Sequence, residues 1–248
     1  MAKKLKILIW DIETSPNLAY VWGQYEQNVI KQVKESEIIS IAWKWLGEKT
    51  THSLCLNDFK KNREECLAKK LHEIINEADV VVAHNGRRFD VKMANRTFIH
   101  YGLTPPSPYK IIDTLTVAKG KFRFNSNHLN DLGEYLGLGK KLETGGFGLW
   151  IGCMANQKKS WDLMKKYNKQ DVILLEKVYI KMLPWIDNHP NVLVENVFSC
   201  PNCGGTHLQS RGWSITSMFK KRRVQCQDCG KWSLAEQIRY KDKDKKII

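Results

Sequence analysis

The chain has 248 residues, of which 42% are hydrophobic and 27% are charged, and this composition excludes a largely disordered protein. The length accommodates one full-sized domain with a small second module, although a single domain of this size is also common. The first apolar run is interrupted at Asp11, too early for a secretory signal core or a membrane span. We therefore expect a cytoplasmic protein with no membrane partner.

The formal net charge of +14 is unevenly distributed. Residues 199–248 carry 11 Lys and Arg against 4 Asp and Glu, so about half of the excess lies on a fifth of the chain. A basic surface attracts polyanions, and nucleic acid is the commonest such partner. A charge excess that only keeps the protein soluble accounts for the same numbers. Charge alone leaves both explanations open.

The first half of the chain shows alternating strand and helix patterns. Apolar, β-prone runs at 5–10, 38–46 and 50–56 predict three strands of a small β-meander. Helical spacing of apolar residues predicts a helix over 62–77, which leads into the continuous apolar run 80–83. Such a run is typical of a buried parallel strand, and a strand after a helix predicts an α/β fold.

The second half continues the alternation. A helix is predicted over 90–101, ended by a glycine and a proline pair, and a short strand at 111–112 follows it. A further helix is predicted over 129–136, and the glycine-rich segment 137–152 is predicted to be largely loop. The last long helix is predicted over 161–185.

Two acidic residues end the first predicted strand. Strand residues two apart point to the same side, so Asp11 and Glu13 should project together. Adjacent carboxylates repel unless a cation lies between them, and oxygen ligands suit Mg²⁺ or Mn²⁺. Two solvated acids at a strand end account equally well for this motif taken alone.

Two further acidic positions have similar ambiguity. Tyr167 and Asp171 are four residues apart on the long helix and therefore share one face. Asp90 follows the polar turn that begins at His84 and opens a helix, where a capping or first-turn acid is common. Each position has an ordinary structural explanation, but the order of the three acidic clusters along the chain is that of one class of nuclease.

The sequence resembles the DnaQ-like, or DEDD, 3′→5′ exonuclease superfamily over about residues 5–185. Three motifs carry the resemblance, in chain order Asp11-Ile12-Glu13, His84-Asn85 with Phe89-Asp90, and Tyr167 with Asp171. The tyrosine subtype places a tyrosine four residues before the last aspartate, as here. The histidine subtype places a histidine five residues before it, where this chain has Lys166.

The resemblance implies a ribonuclease H-like α/β fold, a mixed sheet flanked by helices, and a catalytic set of Asp11, Glu13, Asp90, Tyr167 and Asp171. It also implies two divalent ions, Mg²⁺ or Mn²⁺. Asp11, Glu13 and Asp171 would hold one ion, and Asp11 would bridge to the second, with Asp90 acting through its water shell. Tyr167 would position the attacking water. Ile12 and Asn85 would contact the substrate strand.

Four cysteines form a separate module. The pairs Cys200/Cys203 and Cys226/Cys229 are separated by 22 residues, a spacing typical of one structural Zn²⁺ and unlike a disulfide framework in a cytosolic chain. The module resembles a zinc ribbon over residues 197–240, after a composition shift near Phe198. We expect a nuclease domain over 1–190, the ribbon, and a basic tail over 241–248.

The ribbon also carries a basic run, which comprises Lys220, Lys221, Arg222 and Arg223, together with the aromatic residues Trp213, Phe219 and Trp232. Such a combination can contact phosphates and bases, so these four cations are candidate substrate-binding residues. Many ribbons bind proteins instead, and a protein partner stays open.

The sequence therefore predicts a metal-dependent 3′→5′ exonuclease that acts on nucleic acid, with single-stranded DNA favoured. One alternative is an RNA exonuclease or a structure-specific nuclease with the same fold. Another is a nucleic-acid-binding adaptor without catalytic activity. The complete acidic set favours an enzyme over the adaptor.

Overall fold

The structure is a computed structural model that describes residues 5–25, 28–190 and 199–239. Its strands are β1 (Ile7–Thr14), β2 (Leu18–Tyr20), β3 (Lys31–Lys34), β4 (Ile38–Trp45), β5 (His52–Cys55), β6 (Val80–Ala83), β7 (Lys110–Asp113), β8 (Leu208–Ile215), β9 (Phe219–Cys226) and β10 (Trp232–Arg239). Its α-helices are α1 (Arg63–Asn76), α2 (Asp90–His100), α3 (Thr114–Lys121), α4 (Leu129–Tyr135), α5 (Gly148–Met154) and α6 (Lys158–Met182). Short 3₁₀ turns lie at Leu56–Asp58 and Leu183–Trp185.

Five strands form a mixed sheet in the order β5-β4-β1-β6-β7. The β1–β4 and β4–β5 pairs are antiparallel, which confirms the predicted meander. The β1–β6 and β6–β7 pairs are parallel, as the continuous apolar run predicted. The mixed sheet and its flanking helices confirm the predicted ribonuclease H-like fold class.

The burial pattern explains why these segments form these elements. All four residues of β6 are buried, and so are the first four of β1, which is expected of central strands covered on both faces. Helix α1 buries Leu67, Leu71 and Ile75, whose spacing of four follows the helical period. The core therefore lies between the sheet and the helices, and the carboxyl end of β1 emerges from it at Asp11 and Glu13.

Four elements differ from the sequence prediction: α5, α3 and the two strands of the β2–β3 hairpin. The segment 137–152, predicted to be largely loop, contains the start of α5, which buries Leu149 and Cys153 one turn apart. Helix α3 was also not predicted; it is short and weakly amphipathic, and its start depends on Asp113, whose carboxylate accepts the Leu115 and Thr116 N–H groups. The β2–β3 hairpin is mostly exposed, so it lacks the alternation by which strands are recognised.

The chain divides into two compact units, one spanning Lys6–Tyr179 and one containing the described residues from Ile180 onward. The second unit holds the antiparallel sheet β10-β9-β8. Within it, the Asn202 side-chain amide donates to the Leu183 carbonyl at 2.6 Å. The predicted boundary near Phe198 and the basic tail 241–248 lie outside the described residues. The predicted division into domains stays a prediction.

In the parts of the chain that the structure describes, no helix combines the length and the apolar character that crossing a bilayer requires.

Candidate functional site

The structure brings three of the predicted acidic residues together. Asp11 and Glu13 project from β1, and Asp171 reaches them from α6, with one carboxylate oxygen of each lying within 4.8 Å of the others. The pleat of β1 aligns the first two, and the inward face of α6 supplies the third. Asp171 is 1% exposed, so its carboxylate is directed into the unit and away from bulk water.

Asp90 lies next to this group but is not part of it. It opens α2, is buried, and its Oδ1 accepts the backbone N–H of Ile12 at 3.3 Å. This bond joins the start of α2 to β1 between Asp11 and Glu13. Ile12 as a whole is only 3% exposed, and its N–H is already bonded to Asp90, so it offers little surface for the predicted substrate contact.

Burial and mutual repulsion disfavour the charged forms of these acids. The pKa of Asp11 lies well above its ordinary value, mainly because the residue is buried. Repulsion from the negative charges of Asp90, Glu13 and Asp171 raises it further. Burial and Asp171 raise the pKa of Glu13 to about 8, and burial raises the pKa of Asp90 to about 7. Such a cluster is stabilised when a cation enters it.

One buried oxygen gives an independent indication of a cation site. Asp171 Oδ1 is buried and has no hydrogen-bond partner among the described residues. A buried carboxylate oxygen without a partner is costly, and a cation would satisfy it. An all-oxygen donor set of this kind fits Mg²⁺ or Mn²⁺. The residues present therefore fit a hard divalent ion held by Asp11, Glu13 and Asp171.

Lys141 is a member of the site that sequence reasoning missed. Its ammonium group lies 2.6 Å from Asp171 Oδ2 and 3.2 Å from the Tyr167 hydroxyl oxygen. Burial lowers the pKa of Lys141, but Asp171 and Tyr167 raise it more, so the side chain stays protonated at neutral pH. Lys141 lies in a glycine-rich loop without periodicity, and no sequence pattern marked it.

Tyr167 stands one helical turn before Asp171 and borders the same space. Its ring meets the Trp150 ring edge-on, with the centroids 6.0 Å apart. Burial and then Asp171 raise the pKa of Tyr167 above its ordinary value, so its hydroxyl keeps its proton. Trp150 belongs to α5, so the helix that the sequence did not predict helps to hold the tyrosine.

Asn168 is a second residue that was missed. It is fully buried on α6, and its side-chain NH₂ donates to Asp11 Oδ2 at 2.7 Å. Its side-chain oxygen accepts the Ser40 hydroxyl at 2.8 Å. The sequence does contain a signal for this residue. Met164, Val172 and Leu175 form a buried apolar stripe along α6, and Asn168 occupies a position in that stripe where an apolar residue is expected.

The turn after β6 holds Asn85 in a left-handed conformation, with φ of 66°. Asp113 stabilises this turn by accepting the N–H groups of Asn85 at 2.9 Å and Arg87 at 3.1 Å. Asp113 lies at the end of β7. A groove of about 370 Å³ adjoins the turn, and its cationic lining residues are Arg87, Arg88 and Lys119.

The four predicted cysteine sulfurs lie within 4.8 Å of one another. Two of the separations, Cys200–Cys229 and Cys203–Cys226, are 3.7 Å. Tetrahedral Zn²⁺ with bonds of about 2.3 Å separates its sulfurs by about 3.8 Å, so the spacing fits one zinc ion. Burial raises the pKa of Cys229 to about 11, so without a cation this group stays a neutral thiol, and zinc binding would require it to lose its proton.

Neighbouring residues support the cysteine cluster without joining it. His207 pairs with Asp228 at 2.7 Å and not with the sulfurs. A Cβ added at Gly205 would lie 2.0 Å from an Asp228 oxygen, so a larger residue here would displace the Asp228 side chain. The turn that follows Cys203 thus packs directly against the loop that holds Cys226 and Cys229.

The predicted basic run occupies β9, and its side chains alternate between the two faces of the ribbon sheet. Lys220 and Arg222 lie over the Trp213 ring, 4.3 Å and 5.0 Å from its centroid. Lys221 and Arg223 occupy the alternate positions and project to the opposite face. The structure therefore divides the four candidate cations between two surfaces.

The raised carboxyl pKa values predict how the metal-free protein responds to pH. With a folded-state pKa near 8 against an ordinary 4.5, Glu13 retains its proton longer in the folded state than in the unfolded state. Its contribution therefore favours folding below pH 4.5 and is lost as pH rises toward 8. The same reasoning applies to Asp11, so we expect Asp11→Asn, which removes a carboxyl whose pKa is raised by burial, Asp90 and Glu13, to raise the metal-free Tm at pH 8.

The expected increase is about 2–4 °C, corresponding to about 1 kcal/mol. Tm should be measured by calorimetry in EDTA between pH 5 and pH 8, with Glu35→Gln, an exposed acid, as the control. The advantage of Asp11→Asn should grow with pH. An equal or lower Tm for this variant at pH 8 would contradict the repulsion.

Comparison with known proteins supports the fold independently. A family model of the RNase H superfamily matches residues 8–183, and the chain belongs to that superfamily. Among solved structures, the chain is similar to a family B DNA polymerase from the hyperthermophilic archaeon Pyrobaculum calidifontis, with a TM-score of 0.53 and 16% sequence identity. The match covers 73% of this chain but 25% of the polymerase. Comparison with curated proteins found no significant match.

Proposed function

We propose that this protein is a metal-dependent 3′→5′ exonuclease of the DEDD class, tyrosine subtype, with single-stranded DNA as its favoured substrate. The observation that carries the proposal is the convergence of Asp11, Glu13 and Asp171 within 4.8 Å, beside Tyr167 and Asp90. Membership of the RNase H superfamily supports a nuclease, and the order of the acidic motifs supports the exonuclease class.

In this proposal Asp11, Glu13 and Asp171 would hold one divalent ion, and Asp11 and Asp90 would help to hold a second. Bound Mg²⁺ or Mn²⁺ would lower the pKa of the attacking water and stabilise charge on the scissile phosphate. Asp171 contributes Oδ1, the buried oxygen that has no partner among the described residues.

Tyr167 and Lys141 would act on the reacting groups. Lys141 donates to the Tyr167 oxygen, and the tyrosine hydroxyl hydrogen-bonds to Asp171, which lowers the pKa of that carboxyl. In the proposal, the tyrosine proton turns to a water or a phosphate oxygen when one enters the site. The raised pKa of Tyr167 keeps that proton in place at neutral pH. Tyr167 is therefore assigned to positioning the nucleophile, and the Lys141 ammonium to offsetting phosphate charge.

The substrate strand would follow the positively charged surface next to Asn85. Arg87, Arg88 and Lys119 line the groove beside this turn and can pair with successive phosphates. The cysteine module, with one structural Zn²⁺, would bind the nucleic acid at a second surface, formed by Lys220 and Arg222 around Trp213. Aromatic stacking with flanking cations is a common mode of binding single strands without sequence preference.

We expect Lys220→Ala to weaken single-stranded DNA binding without changing kcat, because this side chain is assigned to phosphate contact and not to chemistry. The slope of log Kd against log salt should fall by about 1. Arg211→Ala removes one cation from β8 of the same sheet and is the matched control, with a smaller expected effect. Fluorescence anisotropy across a salt series measures both. An unchanged slope for Lys220→Ala would remove this residue from the interface.

The proposal is tested by degradation of 5′-labelled single-stranded DNA and RNA of identical sequence, with Mg²⁺, Mn²⁺ or EDTA. We expect a metal-dependent ladder that shortens from the 3′ end and is absent with Asp11→Ala. Faster loss of RNA would support the RNA exonuclease instead. Binding of either strand without cleavage would overturn the enzymatic proposal in favour of an adaptor.

A further inference from the structure

We propose that Asn168 is a positioning residue that holds the Asp11 carboxylate in the orientation required for cation binding. This inference rests on the proposed cation site but concerns a residue to which the DEDD motifs assign no role. Asn168 lies between Tyr167 and Asp171 on α6 and is fully buried. A buried side-chain amide with each end bonded to a different strand is suited to fixing geometry.

The hydrogen bonds assign a direction to the amide. The Asn168 NH₂ group donates to Asp11 Oδ2 at 2.7 Å, and Asn168 Oδ1 accepts the Ser40 hydroxyl at 2.8 Å. The reverse orientation would place the amide oxygen against the Asp11 carboxylate. The Cys55 thiol in turn donates to the Ser40 oxygen at 3.3 Å. A chain of three buried donors therefore ends on one oxygen of Asp11.

The consequence for Asp11 is that its two oxygens differ. Oδ2 accepts the Asn168 hydrogen bond, whereas Oδ1 keeps both of its lone pairs for a cation. Asp171 shows a parallel arrangement, in which Lys141 engages Oδ2 and Oδ1 has no partner among the described residues. The two donors differ in character, because Lys141 is charged and partly exposed whereas Asn168 is neutral and fully buried.

This difference gives the two donors separate roles. A cation entering the cluster repels the Lys141 ammonium, but it does not repel the neutral Asn168 amide. Asn168 can therefore keep its bond to Asp11 whether or not the site is filled. Its bond to Ser40 on β4 also ties α6 to the sheet, across a sequence separation of 128 residues.

The expected effect of Asn168→Ala is a loss of metal affinity that exceeds the loss of turnover. Removing a residue that orients a metal ligand typically weakens metal binding by about 10–100-fold. We expect the Kd for Mn²⁺, measured by electron paramagnetic resonance without substrate, to rise within that range. The activity at saturating Mn²⁺ should remain within about 3-fold of the wild-type value.

Two further variants separate orientation from stability. Val178→Ala opens a cavity at a fully buried position of α6 and should lower Tm while leaving the Kd for Mn²⁺ unchanged. Ser40→Ala removes the hydroxyl that donates to Asn168 Oδ1, with little change in volume. We expect a smaller rise in the Kd for Mn²⁺ than in Asn168→Ala. If Asn168→Ala does not fold, Ser40→Ala still tests the inference.

The outcomes are distinct. An unchanged Kd for Mn²⁺ in Asn168→Ala, or in Ser40→Ala if only that variant folds, would overturn the positioning role. Mn²⁺ binding by the wild type that weakens in these variants, without any cleavage of nucleic acid, would support the positioning role and refute the proposed exonuclease. Failure of the wild type to bind Mn²⁺ would overturn both.

Discussion

Asp171→Asn is expected to lower the rate of 3′-end cleavage by about 10²–10³-fold or more, with little change in single-stranded DNA binding. Removing one preorganised charge-stabilising group at a reaction centre typically costs this much. The substitution preserves the shape of a buried side chain but removes the charge that would hold a cation through Oδ1. It also removes the ion pair with Lys141, so the local charge becomes more positive and DNA binding is not weakened.

The matched control lies on the same helix. Asp162→Asn makes the identical change at an exposed position of α6, where the carboxylate pairs with Lys158. Cleavage of 5′-labelled single-stranded DNA should be followed under single-turnover conditions, and binding should be measured by anisotropy in EDTA. Wild-type cleavage by Asp171→Asn would remove this residue from the proposed cation site.

Cys203→Ser is expected to release the zinc ion and unfold the cysteine module. Within residues 199–234 the buried hydrophobic side chains are Cys200, Val224 and Cys226, too few to stabilise a domain by burial. In small modules of this kind the binding free energy of zinc, about 10–16 kcal/mol for zinc-finger peptides, supplies the folding free energy. Loss of one of four ligands should therefore be decisive for the module.

We expect zinc content to fall from about one ion per chain to near zero, and residues 199–239 to become sensitive to trypsin. Mg²⁺-dependent cleavage of a short oligonucleotide should persist, because the carboxylates lie in the Lys6–Tyr179 unit. Cys66→Ser, at a partly buried cysteine outside the module, is the control. Full zinc content with an unchanged digestion pattern in Cys203→Ser would contradict the assignment of zinc.

The sequence determined those features that depend on neighbouring residues. Asp11 and Glu13 share one side of β1 because the strand period is two, and Tyr167 and Asp171 share a face of α6 because they are one turn apart. The cysteine pairs were recognisable because each is a local motif with a fixed spacing. The α/β class followed from the alternation of apolar patterns, and the mixed sheet confirmed it.

Only the tertiary structure decided which distant residues complete these groups. Asn168 and Asp11 are 157 residues apart, and Lys141 reaches Asp171 from a loop without periodic sequence. Helix α5 was hidden in a glycine-rich segment, yet burial of Leu149 and Cys153 stabilises it. The physical reason is that local periodicity reflects which face of an element is covered. The hydrogen bonds that orient a buried carboxylate depend on which distant elements pack against each other. The chain topology of the fold decides this, and local sequence does not show it.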